Sequence, residues 1–183
     1  MVIFRSMGQV AGVTQYDGTM TDQWWLYASI CKMARWSPRI KSDGESQMFS
    51  HITVGTNDLD QAAAFYDAIL IPLGLCRRVV TPDGGPASAC WVNPNRPLPR
   101  FYVYCPYDLK EAEAGNGSMV AFSAPHADAV DEAYAAGLSN GGVDTGSPGP
   151  RPHYGDGYYG AYLRDPDGNK VHIVHRGDLH LPG

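Results

Sequence analysis

The sequence predicts an α+β fold built from two copies of one β-α-β-β-β unit, and three observations lead there. The stretch from His51, HITVGTNDLDQAAAFYDAILIPLGL, returns 68 positions later from Met119 as MVAFSAPHADAVDEAYAAGLSNGGV. In that register Asp60 falls on Asp128, Tyr66 on Tyr134, Leu70 on Leu138 and Gly74 on Gly142. Each copy passes from period-two alternation to helical spacing. Each then breaks into short strand-like segments separated by Gly, Pro, Asn and Asp.

Taken in order, the first strand runs from His51 to Thr56 and its counterpart from Met119 to Ala124. The first helix is capped by Asn57 or Asp58, because a short oxygen-bearing side chain accepts from the helix's free N–H groups. Ala62, Phe65, Tyr66, Ile69 and Leu70 then form its apolar stripe. Gly74 and the pair Gly141-Gly142 stop the two helices. Three strands follow in the first copy, Leu75 to Thr81, Ala87 to Asn93 and Arg100 to Cys105, with breaks at Pro82 to Gly85 and Asn93 to Pro97. In the second copy a strand near Val143 and another from Tyr159 to Arg164 precede the turn Asp165-Pro166-Asp167-Gly168-Asn169. The last strand runs from Lys170 to His175.

A chain of 183 residues, 44% hydrophobic, is long enough for one such two-module domain with a sizeable core. The domain is expected over 48–177, divided into 48–113 and 114–177, with an N-terminal extension over 1–47 and a tail over 178–183. The extension holds Trp24, Trp25 and Trp36 without a sustained period, and Met48 stands where a chain start would fit. A short helix around Gln23 to Ala34 is the other reading of that segment. A net charge of −5 without Lys/Arg clusters argues against a nucleic-acid surface. No apolar run reaches the ~20 residues that span a bilayer, and no signal-peptide pattern opens the chain, so a cytoplasmic setting is expected. Cysteines 31, 76, 90 and 105 lack ligand spacing and read as small apolar packing groups.

The blocks HITVGTNDLDQAAAFYDAILIPLGL, GNGSMVAFSAPHADAVDEAYAAGL and RPHYGDGYYGAYLRDPDGNKVHIV together resemble the vicinal oxygen chelate superfamily. That superfamily includes glyoxalase I, extradiol dioxygenases and bleomycin-resistance proteins. The resemblance implies mixed sheets curled around a cup-shaped site, helices outside, and a homodimer. In metal-dependent relatives the first and last strand of each module supply ligands. Here those positions carry His51, a tyrosine (Tyr102 or Tyr104), Met119, and His172 four residues after Gly168. His51 and His172 are therefore the candidate ligands of a divalent Zn, Ni, Mn or Fe ion, if one is bound.

This set departs from the family pattern. A divalent metal needs about three protein ligands, and a phenol with its ordinary pKa of about 10 is a poor one. Glyoxalase chemistry also needs a carboxylate base, and extradiol cleavage needs a two-His-one-carboxylate iron site. The four glutamates, Glu45, Glu111, Glu113 and Glu132, all lie away from the strands. Asp165 and Asp167 read as turn formers. Met119 reads as an apolar floor of the cup.

The walls carry Tyr102, Tyr104, Tyr154 and Tyr159 together with Tyr158 and Tyr162, each a ligand contact or a packing group. Arg151 or Arg100 is suited to steer an anion. His153, in Arg151-Pro152-His153-Tyr154, lies in a loop resembling one that flanks the cup in relatives, and His126 reads as a surface residue near the second helix. His175, three residues after His172, should face the opposite side of its sheet. Two functions stand open: a metal-dependent lyase or isomerase acting on a small carbonyl or oxygenated compound, and a metal-free protein that sequesters a small molecule.

Overall fold

The structure is a computed structural model that describes residues 48–81, 84–177 and 179. The extension expected over 1–47, His180 and most of the tail lie outside the described residues. The observed order is β1 (His51–Gly55), α1 (Leu59–Leu70), β2 (Cys76–Arg78), β3 (Ser88–Asn93) and β4 (Arg96–Tyr104). The second copy has β5 (Val120–Ser123), α2 (Ala127–Ser139), β6 (Val143–Pro150), a 3-10 turn (Pro152–Tyr154), β7 (Tyr158–Arg164) and β8 (Lys170–Arg176). Both sheets have one topology, β1-β4-β3-β2 and β5-β8-β7-β6, with the first strand of each parallel to the last. The fold is thus the expected α+β pair of βαβββ modules.

Local chemistry accounts for the elements. Asp58 caps α1, accepting from the Gln61 N–H at 3.0 Å. The imidazole of His126, read from sequence as a surface residue, does the same for α2 by accepting from the Ala129 N–H at 3.1 Å. Strand β4 begins four residues earlier than expected, at Arg96, despite Pro97 and Pro99. Strand β1 pairs only with Arg100 onward, so those prolines lie where little ladder bonding is required of them. Strand β6 is an edge strand rich in Gly and Pro, tolerated there because an edge leaves half its backbone unpaired.

One core joins the modules. Phe65, Tyr66, Ile69 and Leu70 of α1 are fully buried with Trp91 and Val103 of the first sheet and Leu163 and Ile173 of the second. Tyr66 and Phe122 both lie against Phe101, with ring centroids 4.8 and 5.0 Å away. Burying each such side chain contributes about 1.5–3 kcal/mol before entropy is counted. Gly137 lets α2 approach closely, since a Cβ there would meet Leu163 at 2.6 Å and Ile69 at 3.0 Å.

The turn between β7 and β8 fastens the modules together. Asp165 is 2% exposed and accepts from the Tyr66 hydroxyl at 2.8 Å and from the backbone of Asp167 and Asn169. Asn169 also donates to Asp165 and to the Gly55 carbonyl. Asp167 accepts from the Asn57 backbone at 2.8 Å and from the Thr56 hydroxyl. Read from sequence as turn formers, these aspartates also bind the first module, Asp165 at α1 and Asp167 just past the end of β1. Among the described residues no helix is long and apolar enough to cross a membrane.

Candidate functional site

Because strand residues alternate, each sheet turns one face to the helices and presents the other, its cup face, to the outside. The cup face of the first sheet carries His51 and Thr53 on β1 with Arg100, Tyr102 and Tyr104 on β4. His51 meets Tyr102 edge to face at 5.8 Å, and Tyr102 lies 5.5 Å from Tyr104. Arg100 donates to the Tyr102 hydroxyl at 3.2 Å. His51 is exposed, with Nδ1 3.1 Å from the Ser50 hydroxyl.

The second cup face is built differently. Register places Tyr162 opposite His172, Gly160 opposite Val174, and Arg164 opposite Lys170. His172 stacks on Tyr162 with ring centroids 4.2 Å apart and 13° between planes, and Tyr158 lies beyond at 6.0 Å. Tyr154, on the 3-10 turn, packs on Tyr158 at 5.1 Å and on His153 at 4.1 Å. Burial and a hydrogen bond with Tyr154 raise the Tyr162 phenol. Arg151 holds this loop to β6 by donating to the Ser147 carbonyl at 2.8 Å.

His172 is the centre of this group. It is 2% exposed, and its Nε2 has no hydrogen-bond partner. Burial, and then the charges of Arg151 and Lys170, lower its pKa to about 4, so the ring is neutral near pH 7. The ring fits because residue 160 is glycine: a Cβ there would stand 2.7 Å from Nε2 and 3.2 Å from the Ile173 carbonyl. Gly160→Ala is expected to push His172 off Tyr162 and cost about 1–3 kcal/mol, measured by urea unfolding. The same variant should raise the imidazole pKa, followed by NMR. Unchanged stability and titration would mean that the ring does not need this space.

The structure groups Arg151, His153, Tyr154 and His172 on or beside one face, and His51, Tyr102 and Tyr104 on the other. Met119, just before β5, is 46% exposed. Tyr159 does not join either group. Its parity turns it to the helices, where its hydroxyl donates to Asp131 of α2 at 2.9 Å, and its neighbour Tyr158 takes the cup side. His175 faces away from the cup as expected, with Nδ1 3.2 Å from the Ala124 carbonyl. Sequence reasoning passed over Gly160, Arg164 and Lys170. Their signal was the tight turn at 165–169, which pairs the strands flanking it.

The sequence model of the Glyoxalase/Bleomycin resistance protein/Dioxygenase superfamily matches residues 48–173. The chain belongs to this superfamily. The crystal structure of a glyoxalase/bleomycin resistance protein from Albidiferax ferrireducens T118 is 38% identical, with a TM-score of 0.61. That match covers 71% of this chain and 99% of the other. A glyoxalase-related enzyme from Fulvimarina pelagi shares the fold at 19% identity and a TM-score of 0.53, covering 72% and 89% of the two chains. Lactoylglutathione lyase from Agrobacterium tumefaciens shares it at 20% identity and 0.50, covering 75% and 98%. No match was found among curated proteins.

Superfamily members often hold a divalent metal, and the residues here do not fit one well. The corresponding positions offer two imidazoles, a neutral thioether and a phenol in place of carboxylates, and Nε2 of His172 is enclosed against Gly160. Among the described residues no three His, Cys, Asp or Glu side chains converge as a metal site would require.

Proposed function

We propose that this superfamily member binds a small, partly aromatic compound on the cup face of its second module, and that it does so as a metal-free sequestering protein. The observation that carries the reading is His172, a buried neutral imidazole with an unpartnered Nε2 set among Tyr154, Tyr158 and Tyr162. A planar apolar surface with one convergent polar atom is the usual form of a small-molecule site. The unpartnered nitrogen has almost no exposed surface, so it offers its hydrogen bond to a ligand when the imidazole turns off Gly160.

A homodimer accompanies this reading. The shared core uses the helix face of both sheets, which leaves both cup faces on the outside. Residues such as His51, Thr53, Met119, Ala121 and Ser123 on them are exposed. A second copy laid across those faces would enclose a ligand between its own surface and His172.

The metal-dependent lyase or isomerase is the second reading, favoured by imidazoles at two of the four ligand positions. Metal analysis of protein purified without a histidine tag separates the two. Titration with Zn(II), Ni(II), Mn(II), Fe(II) and Co(II) is run beside a His51→Ala/His172→Ala variant. The expected result is metal well below stoichiometric and an unchanged melting temperature in every titration. Near-stoichiometric metal that disappears in the variant would overturn the metal-free reading and restore the lyase.

A further inference from the structure

Next to the start of β5 lies a cavity of about 520 Å³, bounded by residues 114–119, Arg164 and Lys170. Its volume falls within the range of small-molecule sites. The charged side chains that line it are both cations, and they stand opposite each other across the β7–β8 pair. Like charges directly opposite on one sheet face repel. Arg164 donates to the Gly168 carbonyl, and the Lys170 ammonium lies 5.1 Å from the Tyr162 ring centroid. No ion pair relieves either cation among the described residues. In a chain of net charge −5, an unneutralised cationic pair lining a cavity is a local reversal of sign.

The remaining wall suits close approach. Residues 115–118 form a turn closed by the Ser118 N–H on the Gly115 carbonyl at 3.2 Å, and Gly117 has a φ of 86°, which favours glycine. No side chain of that turn is larger than Asn116. Tyr162, under Lys170, is the same ring that stacks on His172, so the cavity adjoins the aromatic row.

We propose that this cavity takes the negatively charged oxygen group of a small organic anion whose planar body lies along Tyr162 towards His172. The inference rests on the aromatic cup face being a ligand site and adds the ligand's charge and direction. A carboxylate and a phosphate ester share the chemistry that the two cations recognise. Their different sizes let the experiment tell them apart.

The test is isothermal titration of the full chain with benzoate, phenyl phosphate, inorganic phosphate and the neutral benzamide, at low and high salt. Amide chemical shifts of Gly115 and Gly117 report where each probe sits. Benzoate or phenyl phosphate should bind at least about tenfold more tightly than benzamide, shift those two amides, and weaken at high salt. Lys170→Met and Arg164→Met should each remove about that factor while leaving benzamide binding unchanged. Benzamide matching the anions, with affinity lost in His172→Leu and kept in Lys170→Met, would overturn the anionic ligand and leave the aromatic site standing. Inorganic phosphate matching phenyl phosphate would overturn the aromatic direction. Absence of binding by all four probes would overturn this inference and the aromatic site together.

Discussion

Asp165→Ala is expected to lower the unfolding free energy by on the order of 4 kcal/mol. The carboxylate is 2% exposed and accepts from the Tyr66 hydroxyl, two backbone N–H groups and the Asn169 amide. Alanine leaves the Tyr66 hydroxyl and the two backbone N–H groups without this acceptor, while the Asn169 amide keeps the Gly55 carbonyl, and each buried donor left unmade costs about 1–3 kcal/mol before relaxation. Tyr66→Phe removes one donor together with its bond and should cost about 1 kcal/mol. Urea unfolding of both variants and of the double variant gives the coupling directly. A loss below about 1 kcal/mol in Asp165→Ala would mean that the turn closes without its carboxylate.

Acidification from neutral pH to about 4 should weaken the fold through His172. Its pKa is lowered from 6.5 to about 4, first by burial and then by Arg151 and Lys170. In the unfolded chain the imidazole takes its proton near 6.5, while in the folded chain it stays neutral until about 4. Between those values the unfolded state binds more protons, so stability falls as pH falls through the window and levels off below it. Allowing for solvent screening, the loss is on the order of 2 kcal/mol. Carboxylates titrate in the same range, so the measurement is the difference between the wild type and His172→Leu in unfolding free energy at pH 7, 5.5 and 4. The wild type should lose stability relative to the variant steadily with acid. Parallel curves would mean that the folded ring titrates near its ordinary value.

The fold was legible because its signals are local. The cap at Asp58 and the alternation of β1 and β8 each need only neighbouring residues, and the repeat needs only the comparison of two such local patterns. The start of β4 was hidden by Pro97 and Pro99, which signal a break unless one knows that β1 ends short of them. Strand β6 has no apolar alternation at all and exists through its pairing with β7. The turn at 165–169 was visible as a turn, but its grip on Tyr66 and Asn57 joins residues about a hundred positions apart, beyond any local pattern.

The site was half legible for the same reason. His172 stood out by comparison with the family's ligand positions, whereas its stacking partner and the glycine beneath it depend on cross-strand register. Tyr158 and Tyr159 are adjacent, so only one could face the cup, and nothing local says which. Arg164 and Lys170 were passed over because a strand cation ordinarily reads as a solvated group. What sets them apart is that they stand opposite each other and line one cavity.

The shared core also bears on how the repeat can be divided. A single βαβββ copy has a complete sheet and helix, which suggests that it could be cut out as a minimal scaffold. The side chains of α1 that face its own sheet are continuous with those that seal against Gly137 and Phe101 that seals against Phe122. A fragment ending near residue 113 would therefore carry an unsealed apolar flank, and the complementary fragment would carry its mate. Each half covers the other's apolar flank, so an engineered split of this chain is expected to need both pieces together.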